Sequence, residues 1–205
     1  MGRMIGSSSI SFDKPPFIIE GASIVGQKEG DGPLGKLFDV VEQDPMLGQE
    51  TWEEAESLLQ KEAIQKLLFK AGMSKEEIRY IFGGDLLGQL IATTFGILEF
   101  EVPFFGLYGA CSTMGEALSL GAVMVEAGNA DNVIAMASSH FASAERQFRF
   151  PLAYGNQRPY AATWTVTGCG AVIISTKKGF AKITGITTGK IVDFGVKDAQ
   201  NMGAC

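Results

Sequence analysis

Histidine and cysteine are scarce in this chain of 205 residues. It holds a single histidine, His140, and three cysteines, Cys111, Cys169 and Cys205, which stand far apart. An odd number of widely spaced cysteines does not suit a disulfide framework and favours a reducing compartment. One histidine and scattered cysteines also leave too few ligands at workable spacing for a zinc site. The sequence therefore predicts neither a disulfide-stapled scaffold nor a metal centre.

Long apolar runs and basic clusters are also missing. The nearest apolar run, Leu86 to Phe100, is interrupted by Gln89, Thr93, Thr94 and Glu99, so it does not suit a membrane span. The first twelve residues lack the basic-then-apolar plan of a signal peptide. A net charge of −6 without a Lys/Arg-rich block gives no support to nucleic-acid binding. We expect a soluble chain that reaches a membrane only peripherally, through a partner.

Nucleotide-binding signatures are absent as well. No Walker sequence occurs in the chain. The glycines of Gly168-Cys169-Gly170 precede a predicted strand, whereas those of a dinucleotide fingerprint follow one. The sequence therefore predicts no cofactor.

What the chain does contain is a regular alternation of strand and helix patterns. Strand patterns cover residues 17–25, 80–82, 133–137, 170–175 and 183–193. The clearest helix starts at a capping-box pattern, Thr51 with Glu54, and follows an apolar stripe to Gly72. Asp85 is expected to cap the next helix. The order β-α-β-α-β-α-β-β predicts an α/β fold with a mixed, mostly parallel five-stranded sheet and helices on both faces.

The most informative stretch runs from Phe104 to Thr113. An apolar strand pattern ends there at Gly109-Ala110-Cys111, and a helical pattern begins at once. A cysteine at such a junction lies beside unpaired N–H groups and the positive end of the helix dipole. It also lies at the strand edge where open α/β sheets bind ligands. A buried structural cysteine is the alternative; we favour a pocket that contains Cys111.

His140 follows Ser138 and Ser139 at the end of the next predicted strand. Because strand ends gather at one edge of an open sheet, His140 and Cys111 are candidates for a thiol–imidazole pair, the minimum for an activated cysteine nucleophile. In the alternative interpretation, His140 caps backbone groups in the turn or binds Ser138. The sequence does not decide between the two, and it offers no third group to orient the base.

Residues 141–168 form a polar, aromatic insertion. Three of the five arginines in the chain, Arg146, Arg149 and Arg158, fall within it and are interleaved with Phe148, Phe150, Tyr154, Tyr160 and Trp164. Guanidinium groups bind carboxylates, with about 1.5–3 kcal/mol for each charged hydrogen bond, and aromatic faces stack on flat rings. Alternatively, Glu145 pairs with Arg149 and the aromatic residues bury the loop or a subunit interface. As a cluster, the arginines favour an anion-binding site.

Several strings resemble known families. The strand–Gly-Ala-Cys-Ser–helix pattern and Gly168-Cys169-Gly170-Ala171-Val172 resemble the first half of the thiolase fold. Longer strings across nearly the whole chain resemble the stage V sporulation protein AD family. They include Gly84-Asp85-Leu86-Leu87, Leu107-Tyr108-Gly109-Ala110-Cys111-Ser112-Thr113, Ala144-Glu145-Arg146-Gln147-Phe148-Arg149 and Asn201-Met202-Gly203.

This resemblance implies a sporulation protein that binds dipicolinic acid, pyridine-2,6-dicarboxylic acid, for its uptake into the developing spore. Its partners would be integral-membrane proteins of the same operon, and its location peripheral at the spore inner membrane of a spore-forming bacterium. Carried over, Cys111 would lie at the pocket floor, while Ser138, Ser139 and His140 would line its wall. The candidate carboxylate partners are Arg146, Arg149 and Arg158.

The resemblance also implies a single N-terminal thiolase-like domain over residues 1–205 that lacks the second half of the fold. In thiolase-fold enzymes the cysteine matching Cys111 is acylated, but the general base and oxyanion-hole residues come from that second half. We therefore expect binding rather than catalysis. A thiolase-like or ketoacyl-synthase-like acyltransferase and a scaffold for membrane partners remain alternatives. A half-fold also exposes apolar surface, which predicts self-association, such as a homodimer.

Overall fold

The computed structural model describes residues 2–148, 165–195 and 197 of the chain. Within those ranges the chain forms ten β-strands and five α-helices. The strands are β1 Arg3–Ile5, β2 Ser9–Ser11, β3 Phe17–Gly26, β4 Val40–Glu42, β5 Tyr80–Asp85, β6 Phe104–Gly106, β7 Asn132–Ser139, β8 Gly168–Ser175, β9 Ala181–Lys182 and β10 Gly185–Thr187. The helices are α1 Gln27–Gly30, α2 Trp52–Ala71, α3 Ile91–Ile97, α4 Thr113–Glu126 and α5 Phe141–Phe148.

One large sheet organises the fold, with the strand order β4-β3-β8-β7-β5-β6 and with β9 paired to β3. Strands β3 and β4, β5 and β6, and β5 and β7 pair in parallel. Strand β8 runs antiparallel to both of its neighbours, β3 and β7. The predicted mixed, mostly parallel α/β sheet is confirmed. Five of its seven strands, β3, β5, β6, β7 and β8, match strand patterns in the sequence, and the short strands β4 and β9 are additional.

Helices cover both faces of this sheet, as the sequence predicts. Helices α2 and α3 pack on one face, and α4 packs on the other. Adjacent residues of a strand point to opposite faces, so Ile134 contributes to the core under α2 while Val133 and Ala135 contribute to the core under α4. This alternation decides on which face each polar residue at the strand ends lies.

Helix α2 forms where the capping pattern predicts it. The hydroxyl of Thr51 accepts a hydrogen bond from the backbone N–H of Glu54 at 3.2 Å, and the Glu54 carboxylate accepts one from the Thr51 N–H at 3.0 Å. The helix ends before Gly72, whose φ of 62° is a left-handed conformation that favours glycine. Among residues 2–148 and 165–195, no helix is both long enough and apolar enough to span a membrane.

The predicted strand over residues 183–193 is wrong in its extent. Strand β9 pairs with β3 in the large sheet, whereas β10 pairs with β2 in a separate three-stranded sheet of β1, β2 and β10. One continuous strand cannot pair in both sheets, so the chain bends between Lys182 and Gly185. After Thr187, no further strand forms in the described residues up to 195.

Candidate functional site

The loop that carries Cys111 lies against the carboxyl end of β5. After β6, the N–H of Leu107 donates a hydrogen bond to the carbonyl of Gly83 at 2.8 Å. The backbone of Gly84 comes so close that a Cβ at this position would overlap the Leu107 carbonyl oxygen. Ala110–Ser112 then form one 3₁₀ turn, and α4 begins at Thr113. Cys111 is a free, exposed cysteine at the N-terminal end of α4.

The sheet separates the four residues that the sequence analysis placed together around β7. Ser138 points to the face of α2, because its hydroxyl donates to the Glu56 carboxyl at 2.7 Å. His140 lies on the same side, with its ring 5.3 Å from that of Trp52 in α2. Ser139 points the other way and bonds the carbonyl of Val166. Cys111 belongs to the α4 side, so Ser139 shares its face whereas Ser138 and His140 do not.

The side chain of His140 is fully buried, and both of its ring nitrogens form hydrogen bonds with backbone groups. Its Nε2 lies 2.8 Å from the carbonyl oxygen of Pro45, and its Nδ1 accepts a hydrogen bond from the N–H of Ala142 at 3.2 Å. This pattern defines a neutral ring that carries its proton on Nε2. Burial lowers the pKa of His140, against the opposing effect of the Pro45 hydrogen bond. Neither nitrogen is available to take a proton from Cys111.

Asp85 lies at the end of β5 and holds the start of α3. Its carboxylate accepts hydrogen bonds from the N–H of Leu90, the N–H of Thr93 and the hydroxyl of Thr93, at 3.2, 3.2 and 2.9 Å. The expected capping role of Asp85 is thus present, although the helix starts later than its immediate neighbours in sequence suggest. The Thr93 hydroxyl in turn accepts from the amide of Gln60 at 3.1 Å, which links α3 to α2.

Glu56 continues this chain of hydrogen bonds, and the sequence analysis did not identify it. Gln60 donates to Ser138 at 2.6 Å, Ser138 donates to Glu56, and the Ser143 hydroxyl of α5 lies 2.6 Å from the second carboxyl oxygen of Glu56. Burial raises the pKa of Glu56 to about 7. One signal was present in the sequence. Glu56 and Gln60 precede Ile64 at intervals of four residues, so all three lie on the same, buried face of α2.

A cavity of about 190 Å³ opens at the same edge of the sheet, where β3 and β4 end and β8 begins. It is lined by Gly26, Gln27, Lys28, Glu29, Gln43, Pro45, Phe141, Thr165 and Thr167. Lys28 and Phe141 were not identified from the sequence. Their signal was positional, because each is the second residue after a strand, β3 or β7, whose carboxyl end lies at this edge. The lining does not include Cys111, which lies nearer the β5 end of the sheet.

The predicted insertion begins as a helix, because its first eight residues form α5. Arg146 belongs to this helix, but its side chain lies outside the described part of the structure, as do Arg149 and Arg158 entirely. Their role in anion binding therefore stays a prediction. Both ends of the insertion are anchored, since the N–H of Phe141 donates to the Thr167 hydroxyl at 3.1 Å.

Solved structures with a similar fold include two synthases. The chain aligns with 3-oxoacyl-[acyl-carrier-protein] synthase III from Aquifex aeolicus VF5 at a TM-score of 0.54 and 18% identity, over 78% of this chain and 53% of that one. It aligns with the priming β-ketosynthase of the R1128 polyketide pathway at a TM-score of 0.51 and 17% identity, over 85% and 52% of the two chains. These likenesses confirm the thiolase-like fold and nothing more specific.

Sequence relatives are more specific. Stage V sporulation protein AD of Bacillus subtilis (strain 168) is 40% identical over 202 residues, which are 98% of this chain and 60% of that protein. The chain thus spans about 60% of the length of this curated relative. A family model described as stage V sporulation protein AD matches residues 6–205. With the fold, the Cys111 loop and this match in agreement, the chain belongs to the stage V sporulation protein AD family.

Proposed function

We propose that the chain binds dipicolinate, the planar dianion of pyridine-2,6-dicarboxylic acid, for its uptake into the developing spore. In this proposal it acts peripherally at the spore inner membrane, beside integral-membrane proteins of the same operon. Membership of the stage V sporulation protein AD family supports a role in sporulation. The chemistry of the described residues supports the kind of ligand.

The cavity beside Lys28 and Phe141 is the observation that carries the proposal. A flat aromatic dianion calls for an aromatic face beside its ring and for cations beside its two carboxylates. Phe141 and Lys28 supply one of each, in a chain whose net charge is −6. Thr165, on the same lining, closely follows the segment that carries Arg149 and Arg158. Two further cationic residues are therefore close in sequence to a residue that lines the cavity.

The remaining candidate residues take different roles in this proposal. Cys111 and Ser139 face the α4 side and lie outside the lining of this cavity, so any contact with ligand that is proposed for them is beyond its rim. Ser138 and His140 are enclosed on the α2 side and are proposed to support the wall from behind. The three arginines, Arg146, Arg149 and Arg158, remain the proposed partners of the carboxylates.

Binding without chemistry at Cys111 is favoured over acyl transfer. A cysteine nucleophile needs a neighbouring base, and the single histidine of the chain has both ring nitrogens on backbone groups. Cys111 is nevertheless exposed at the start of α4, so a direct test is worthwhile. We expect no mass increase on Cys111 after incubation with acyl-coenzyme A, measured by intact-protein mass spectrometry. An acyl adduct that Cys111→Ser abolishes would establish the transferase alternative instead.

Isothermal calorimetry with dipicolinate tests the binding proposal. We expect saturable binding to dipicolinate and none to benzoate, which lacks the second carboxylate; isophthalate tests the ring nitrogen. Lys28→Ala and each of the three single arginine-to-alanine variants should weaken binding about tenfold or more, because each removes a charged hydrogen bond.

Lys178→Ala is the matched control, since it removes one charge from an exposed lysine that does not line the cavity. Its affinity should equal that of the unmodified chain. A folded sample that releases no heat with dipicolinate would refute the binding role of this chain. Unchanged affinity in all three arginine variants would refute only their assignment.

A further inference from the structure

We propose that Glu56 is a positioning residue that works as a neutral carboxylic acid, bridging α2, β7 and α5, and that its ionisation releases α5 from the rest of the fold. The part of this inference that concerns ligand rests on the proposed function above. The part that concerns α5 does not.

The contacts of Glu56 join three elements at one carboxyl group. Glu56 belongs to α2; its Oε1 lies 2.7 Å from the Ser138 hydroxyl of β7, and its Oε2 lies 2.6 Å from the Ser143 hydroxyl of α5. All three side chains are buried. Ser143 also lies 3.1 Å from the carbonyl oxygen of His140. The carboxyl group is therefore a direct side-chain link between α5 and the core of the fold.

The hydrogen bonds of this cluster accommodate Glu56 in the acid form. Ser138 receives a hydrogen from Gln60 and has one to give, which goes to Oε1 of Glu56. If Oε2 of Glu56 carries a proton, it donates that proton to Ser143, and Ser143 then donates to the His140 carbonyl. If Glu56 is ionised, Ser143 donates to Oε2 and the His140 carbonyl keeps the hydrogen bond from the Ala144 N–H. Ionisation therefore adds a buried negative charge, which is costly away from water, and withdrawal of α5 would let water reach it. The carbonyl oxygen of the Gln60 side chain has no partner in either form.

The charged and titratable groups around Glu56 favour the same form. Asp85 at the end of β5 and Glu53 one turn earlier in α2 both act on Glu56 as like charges. On β8, Cys169 faces it as a buried thiol, and burial raises the pKa of that thiol. Burial lowers the pKa of His140, and its Nδ1 accepts a hydrogen bond from the Ala142 N–H, so the ring is neutral. Each like charge makes ionisation of Glu56 less favourable.

Helix α5 is the element that this link holds near the cavity. Its first residue, Phe141, lines the cavity and packs edge-on against the ring of Trp52 at 5.5 Å between centroids. Arg146 is on the same helix, and Arg149 follows it directly. If α5 separates from Glu56, Phe141 and the backbone of Arg146 move with it. The proton on Glu56 thereby controls the shape of the proposed ligand site.

The sign of the pH dependence follows from the raised pKa. In the unfolded chain a glutamate has a pKa of 4.5, whereas burial raises that of Glu56 to about 7 in the fold. Between these values the folded chain binds more protons, so the unfolding constant should rise by up to about tenfold per pH unit and level off above about pH 7. The Glu56→Gln variant, which is neutral at every pH, should lack this part of the slope.

The experiment measures denaturant unfolding and Trp52 fluorescence from about pH 5 to about pH 8. A Trp164→Phe background leaves Trp52 as the single tryptophan of the chain. We expect the Trp52 emission to change with Glu56 ionisation in the parent and to stay constant in Glu56→Gln. Glu50→Gln makes the same substitution at an exposed position and should behave as the parent does. Groups that titrate in all variants cancel in the comparison.

Equal pH slopes in the parent and Glu56→Gln would overturn the proposal, as would a Glu56→Gln variant that does not fold. A slope without any change in Trp52 emission would overturn the release of α5. Dipicolinate affinity should fall between about pH 6 and about pH 8 in the parent but not in Glu56→Gln. Failure to bind dipicolinate at any pH would refute the proposed function and leave the two ligand-free measurements to decide the role of Glu56.

Discussion

Gly84→Ala is expected to lower the free energy of unfolding by about 3 kcal/mol, near the upper end for overpacked positions. The added Cβ would overlap the carbonyl oxygen of Leu107, a backbone atom that cannot rotate away. Leu107 is also fixed by its hydrogen bond to Gly83. Either β5 or the loop before α4 must therefore shift. Denaturant unfolding monitored by circular dichroism measures the loss.

The same substitution should change the environment of Cys111, because the displaced loop leads into the turn that carries it. We expect the rate of maleimide labelling at Cys111 to differ from that of the parent, with Cys205 replaced by serine in both. Gly115→Ala is the control: no atom lies within 4 Å of its added Cβ, and the position is inside α4. Helix propensity predicts that this variant gains up to about 1 kcal/mol. Equal stability of the two variants would contradict the close-approach argument.

Asp85→Ala is expected to cost about 3–5 kcal/mol of unfolding free energy. The carboxylate accepts hydrogen bonds from Leu90 N–H, Thr93 N–H and the Thr93 hydroxyl, and each buried donor left without a partner costs about 1–3 kcal/mol. The Gln60 amide, which donates to Thr93, loses its support as well. Thermal and denaturant unfolding measure the loss, and amide exchange in α3 should rise first.

Asp131→Ala serves as the control for Asp85→Ala. Asp131 is exposed, so removal of its carboxylate should change the unfolding free energy by less than about 0.5 kcal/mol. Asp85→Asn should remain strongly destabilised, because its NH₂ group cannot accept a hydrogen bond from a backbone N–H. If Asp85→Asn were as stable as the parent, the three hydrogen bonds assigned to the carboxylate would be wrong.

Local patterns in the sequence were sufficient to predict α2 and the core strands. The start of α2 depends on Thr51 and Glu54, three residues apart, and its end depends on the conformation of Gly72. Such short-range signals are complete in the sequence itself. The same holds for Asp85, which was expected to act as a cap and does bind the first turn of α3.

Contacts between distant parts of the chain were beyond this kind of prediction. Strand β10 pairs with β2, although about 175 residues separate Gly185 from Ser11, and three-residue strands carry no detectable period. Gly83 and Gly84 resemble a turn in the sequence, yet both lie within β5. Their small size serves close packing against Met136 and Leu107 rather than a reversal of the chain.

The site was predicted least completely, because the face of a strand-end residue depends on register. Ser138 and Ser139 are neighbours in the sequence, but one points to α2 and the other to the opposite face. A shift of one residue would exchange them. Glu56 was missed because carboxylates on helices are usually exposed. Its burial depends on α5, which contributes Ser143 from 87 residues further along the chain.

The pairing of β7 with β8 brings together the two ends of the segment that connects them. Ser139 and Gly168 are partners in adjacent antiparallel strands, so the chain leaves the sheet and returns to it at one place. Lengthening a loop with fixed ends costs little, about 0.6 kcal/mol for each doubling of its length. We therefore expect relatives to differ in length between α5 and β8 more than within the strands of the supporting sheet.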